Sequence, residues 1–173
     1  NFLLGEGSTL AEKLTATLPR AACFVGAGVL AGAARECALK MLELTAGRVQ
    51  TMSESTLGLR HGPMSALNVD TLLTQFVSGD AKRSRYDNDL LREVRAKETT
   101  RAIIAVGAQS DAANYSLTCD AFARIPDFYR APVDAIVGQL LGLFASISAG
   151  MKPDAPSPQG VISRVVPPFT IYR

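Results

Sequence analysis

The chain has 173 residues and a mass of 18.3 kDa, with 47% hydrophobic and 20% charged residues. That balance predicts a single domain with at most an appendage, excludes disorder for the bulk of the chain, and lets a core form without a disulfide or metal staple. Eighteen Lys and Arg against sixteen Asp and Glu leave a net charge of +2, too small and too scattered to indicate nucleic acid, and no run of apolar residues is long and uncharged enough to mark a membrane span.

Leu10, Leu14 and Leu18 stand at helical spacing, which predicts an N-terminal helical arm over residues 1–20, packed on a partner or on a further domain. The chain opens Asn1-Phe2-Leu3, without an initiator Met or a basic-then-apolar leader, and reads as a piece of a longer protein. Residues 21–25 are a short apolar run ending in Gly26-Ala27-Gly28, a buried strand and its turn. A helix over about 30–45 follows. Its apolar stripe runs through 30, 34, 37, 38, 41 and 42, with Glu36, Lys40 and Glu43 on the other face and Gly47 as the stop. A modest second strand covers 48–53, and a third covers 71–77 and ends in Ser78-Gly79-Asp80. Lys82-Arg83-Ser84-Arg85 is a solvated lead into an amphipathic helix over 85–97. A strongly buried fourth strand covers 101–106 and a weaker fifth 115–118. The last helix, 131–149, comes nearest to a membrane span, but it contains Asp134 and Gln139 and is expected to pack as a buried helix. From Met151 onward, five of the nine prolines predict an extended tail over 151–173, whose apolar residues lie against the domain or a neighbouring subunit.

Continuous apolar strands alternating with helices imply a parallel sheet covered on both faces. The expected fold is therefore α/β, a three-layer α/β/α sandwich with about five strands over residues 21–150. Cys23, Cys37 and Cys119 are widely spaced, and the chain has one histidine. That pattern argues against zinc and against a disulfide framework, calls for no cofactor, and indicates a reducing cytoplasm.

Ligands of an open parallel sheet bind beyond the carboxyl ends of its strands. Gly26-Ala27-Gly28 opens a helix there, and helix-terminal amides attract anions. The same glycines also serve a tight strand-to-helix turn. Ser78 offers a hydroxyl at the third strand's end, although Ser78-Gly79-Asp80 lacks a cluster of Ser and Thr. Glu43 sits in the last turn of its helix, where the macrodipole disfavours a negative charge. Glu36 has Lys40 at i+4, whereas Gly47 stands at i+4 from Glu43. A carboxylate with no local cation would have a raised pKa and suit a base. The single histidine, His61, lies between Arg60 and a Gly-Pro turn.

Gly26-Ala27-Gly28, Ala34 to Gly47 and Gly58-Leu59-Arg60-His61-Gly62-Pro63 together resemble the sugar isomerase (SIS) domain. Leu42 to Gly47, Tyr86 to Glu93 and Ser163-Arg164-Val165-Val166 are similar to the tagatose-6-phosphate ketose/aldose isomerase family, which includes amino-sugar-phosphate deaminases. The resemblance implies a tandem protein of which this is the second SIS domain, an N-terminal SIS domain being the missing partner. It implies a phosphorylated sugar as ligand, no nucleic acid or membrane, and a homodimer. By likeness to the isomerase domain of glucosamine-6-phosphate synthase, Glu43 moves a proton between two sugar carbons. His61, from the neighbouring subunit, assists ring opening. Gly26, Gly28, Ser78 and Arg164 are the substrate-binding candidates. Two features depart from the pattern. The tail's only lysine, Lys152, stands at its start, and the Ser/Thr-rich phosphate cradle is missing, so this part alone is expected to bind sugar phosphate weakly. Alternative readings are a sugar-phosphate-sensing module and a non-catalytic dimerisation module.

Overall fold

The computed structural model describes residues 1–155, 157, 159–161, 168 and 170–172. Five short strands carry the fold: β1 (Ala21–Gly26), β2 (Gln50–Ser55), β3 (Thr71–Phe76), β4 (Ala102–Val106) and β5 (Tyr115–Leu117). All pair in parallel, in the order β2-β1-β3-β4-β5. β3 and β4 are buried along their whole length, as continuous apolar strands covered on both faces must be. The expected sandwich of about five strands is the one observed.

One face is covered by α1 (Ser8–Thr15), α2 (Leu30–Leu44) and α5 (Asp127–Ser148). Phe24, Leu72, Phe76, Ile104 and Val106 point into this layer and meet Leu30, Cys37, Met41 and Leu141. The other face is covered by α3 (Ala81–Lys97) and the segment after β2, with Val25, Leu73, Val77 and Ile103 against Leu59, Leu67, Leu90, Leu91 and Val94. A short α4 (Asp120–Arg124), which the sequence reading did not foresee, precedes α5. β1 is the centre of the topology. The chain leaves it toward β2 on one side and returns to β3 on the other, which creates a switch point at the carboxyl ends.

Several boundaries differ from expectation for identifiable reasons. α3 starts four residues early because the Asp80 carboxylate caps it, accepting from the Arg83 N–H at 2.9 Å. β2 starts two residues late because Ala46 and Gly47 both take positive φ (47° and 75°) and turn the chain first. The N-terminal arm packs on its own domain rather than away from it: Leu3, Ala11 and Leu14 are buried in the α2/α5 layer. α5 begins at Asp127 and accommodates Pro132 within the helix. By length and hydropathy α5 would suffice to cross a membrane. Here it packs against α1 and α2, with Arg130 and Asp134 buried along it. Of the tail, Val161, Ile171 and Tyr172 are exposed.

α2 and α5 approach at glycine. A Cβ at Gly138 would stand 2.5 Å from Cys37 Cα, and one at Gly142 would stand 3.2 Å from the Lys40 carbonyl. The backbone of α2 that carries Lys40 and Glu43 is thus seated directly on α5.

Candidate functional site

α2 ends by design of its sequence. The Thr45 hydroxyl donates to the Met41 carbonyl at 2.7 Å, and the Gly47 N–H donates to the Leu42 carbonyl at 2.9 Å. This closes the helix through two left-handed residues. Glu43 stands in that last turn with its side chain in solvent, flanked by Leu39 and Leu42, each 43% exposed. It is not without a cation. Lys40 Nζ donates to Glu43 Oε2 at 2.6 Å and pairs with Glu36 at 3.6 Å. The expectation of an unpaired Glu43 is corrected: the cation comes from i−3, a helix neighbour as close as i+4. The Lys40 ammonium is held above its ordinary pKa, chiefly by the hydrogen bond to Glu43.

His61 closes a 3₁₀ turn, Gly58–His61, and is exposed. Leu59 anchors the turn in the α3-side core, and Arg60 Nε donates to Glu93 Oε2 at 2.8 Å. Gly62 adopts φ 131°, which explains the glycine of Arg-His-Gly-Pro. Glu43 therefore belongs to the α2 layer and His61 to the α3 layer. Within one chain the sheet stands between them, and the structure does not bring them together.

The remaining predicted residues divide. Gly26 is structural: a Cβ there would meet the Leu30 carbonyl oxygen at 2.5 Å, so glycine lets strand and helix close up. Gly28, with φ 56°, lines a crevice of about 540 Å³ at the switch point, together with Ser55, Asp80, Lys82, Arg83 and Tyr86. Ser78 does not line it. Its side chain is buried, its hydroxyl donates to Asp127, and its N–H donates to Asp87 Oδ2 at 2.8 Å, so it shapes the turn after β3. Arg164 lies outside the described residues.

A scan of protein families finds no match to the chain. It is similar to an AgaS protein of Streptomyces coelicolor, 35% identical over 171 residues, which are 97% of this chain and 44% of that relative. It is 38% identical over 152 residues to the Escherichia coli D-galactosamine-6-phosphate deaminase AgaS, covering 86% of this chain and 40% of the relative. The crystal structure of tagatose-6-phosphate ketose/aldose isomerase from Escherichia coli superposes with a TM-score of 0.79 at 31% identity, covering 98% of this chain and 45% of that one. In sequence and in fold the chain is similar to one half of the AgaS deaminases and of tagatose-6-phosphate ketose/aldose isomerase. It spans less than half the length of these relatives and matches their C-terminal half.

The carboxyl ends of β2 and β3 are tied together by a buried polar network that sequence reasoning missed. Asp87 of α3 accepts from the Thr56 hydroxyl at 2.6 Å and from Gln75 Nε2 at 3.1 Å as well as from Ser78. Asp127 of α5 accepts from the Gly79 N–H at 2.8 Å and from Ser78. One turn is thus pinned from both faces of the sheet. Arg130, 1% exposed, donates to Asp134 Oδ2 at 2.9 Å and to the Val77 carbonyl at 2.7 Å. Gly107, φ 98°, makes room for it, since a Cβ there would lie 2.7 Å from the Arg130 Cζ. The signal was present as Asp127, Arg130 and Asp134 at i, i+3 and i+7 on an otherwise apolar helix, a pattern that suits a buried ion pair.

Burial pushes the Asp134 carboxyl up to about 6 despite Arg130, and it holds Asp87 above the usual carboxylate range. Asp134 Oδ1 has no hydrogen-bond partner. A carboxyl that binds its proton more tightly when folded stabilises the fold fully below its unfolded pKa near 4. That contribution is lost as pH rises through about 6. Asp134→Asn is therefore expected to shrink the difference in urea-unfolding free energy between pH 5 and pH 7.5 that the parent shows in favour of pH 5. An unchanged difference contradicts the assignment.

Proposed function

We propose that the protein acts on a phosphorylated amino-hexose or ketohexose. Galactosamine 6-phosphate plus water gives tagatose 6-phosphate and ammonia, or the corresponding aldose and ketose phosphates interconvert. Both reactions need one base that removes a proton from one sugar carbon and returns it to the next, and a carboxylate can do both. Glu43 is that base, held in position by Lys40. His61 gives and takes the ring-opening proton, for which imidazole suits pH 7. The observation that carries this reading is the solvent-presented Glu43–Lys40 pair on α2 of a chain with AgaS relatives.

Because Glu43 and His61 are on opposite faces of one sheet, a complete site draws them from two copies in a homodimer. An N-terminal SIS domain supplies the phosphate cradle that this chain lacks. The cellular setting is the cytoplasm, in keeping with three free thiols. The test is ammonia release from galactosamine 6-phosphate, with isomerisation of tagatose 6-phosphate followed in parallel, by a chain of the relatives' length. Failure of both reactions overturns the proposal.

A further inference from the structure

The run Tyr86 to Glu93 takes no part in the proposed chemistry, yet two of its acids bond to the segment that carries His61. The His61 imidazole is exposed and has no hydrogen-bond partner among the described residues. Its direction is therefore set by the backbone of its 3₁₀ turn. That turn is four residues long, and Gly62 follows it at φ 131° with nothing within 4 Å of where a Cβ would stand. So short a turn beside an open glycine has little rigidity of its own. Its place comes from what it is bonded to.

α3 holds it along its length. At the end of β2 the buried Thr56 hydroxyl donates to Asp87 Oδ1 at 2.6 Å. In the turn itself, Leu59 is fully buried among Leu90, Leu91 and Val94. Beside the histidine, Arg60 Nε donates to Glu93 Oε2 at 2.8 Å. Beyond it, Lys97 Nζ donates to Glu93 Oε1 at 2.6 Å and to Met64 Sδ at 3.3 Å, in the next 3₁₀ turn (Pro63–Ala66). Glu93 thus links the chain on both sides of His61 through two cations. The Lys97 hydrogen bond, above all, holds the Glu93 carboxyl below its ordinary pKa, so it stays charged. The Arg60 and Glu93 side chains are 28% and 33% exposed, and such a pair adds little to stability. What it fixes is the place of the residue next to Arg60.

We infer that Glu93 is a positioning residue: with Arg60 and Lys97 it holds the turn that presents His61, and it acts on the reaction only through that imidazole. The inference rests on His61 being the ring-opening group proposed above.

The experiment uses chains of the relatives' length, refolded together in pairs and assayed with galactosamine 6-phosphate. A Glu43→Gln chain mixed with a His61→Asn chain leaves one live centre in each mixed dimer, its imidazole supplied by the Glu43→Gln chain. Glu93→Ala added to the Glu43→Gln chain is expected to lower the recovered kcat about tenfold, with KM within about twofold. Glu93→Ala added to the His61→Asn chain is expected to leave the recovered activity unchanged, because that chain supplies no imidazole. A merely structural role would lower activity from either chain. Equal recovery in all three mixtures, or equal loss from either chain, overturns the inference and leaves the proposed function standing. No recovery even without Glu93→Ala overturns the shared centre and the inference with it.

Discussion

Glu43→Gln is expected to lower turnover of galactosamine 6-phosphate by about 10²–10⁴-fold, the usual contribution of a positioned acid–base group, with KM changed only a few-fold. Glutamine keeps the size of the side chain and can still accept from Lys40, whose ammonium is 2.6 Å from the carboxylate in the parent. It cannot take up a proton. The loss should therefore fall on kcat. Steady-state kinetics on a chain of the relatives' length separates the two constants. A variant that keeps its kcat removes Glu43 from the chemistry, whereas a pure rise in KM makes it a binding residue. The position is well chosen for such a test, because Glu43 is exposed at a helix end and its replacement disturbs no packing.

Arg130→Ala is expected to have the largest effect on stability. It leaves the Asp134 and Asp127 carboxylates without their cation and the Val77 carbonyl without its donor, all in a buried setting. Removing one partner of a buried pair costs about 3–5 kcal/mol. For a domain of this size that lowers the melting temperature by roughly 6–20 °C. It also opens a void beside Gly107, where the lack of a side chain admits the guanidinium. Thermal unfolding of parent and variant at pH 7.5 checks it. A shift of less than about 2 °C would mean that the network contributes little to the fold.

The sheet was legible because its strands are covered on both faces: the run at 102–106 is apolar without alternation, and the run at 71–77 is free of charge and broken only by Thr71, Thr74 and Gln75. α2 was legible from its stripe and from Gly47. Helix starts were harder to place. Asp80 reads as a turn residue until its carboxylate is seen capping α3, and the first turns of α5 hold Arg130 and Pro132, which a sequence pattern assigns to a loop. Site legibility followed the same rule. Glu43 and His61 stood out by residue type and motif, but their placement on opposite faces depends on how the chain crosses from β2 to β3. The Lys40 partner stands at i−3 from Glu43, outside the i, i+4 spacing that pairs Glu36 with Lys40. Asp87 gave no local signal, and the spacing that marks Asp127 as a partner of Arg130 says nothing of its bonds to Ser78 and Gly79, which are 49 and 48 residues away.

The most direct measurement mixes subunits. A Glu43→Gln chain and a His61→Asn chain, each inactive alone, are denatured together and refolded. If every catalytic centre takes its acid from one copy and its imidazole from the other, half the dimers are mixed and each of these holds one intact centre, so about a quarter of parental activity returns. Mixed protein no more active than the two parents apart would contradict a centre shared between copies.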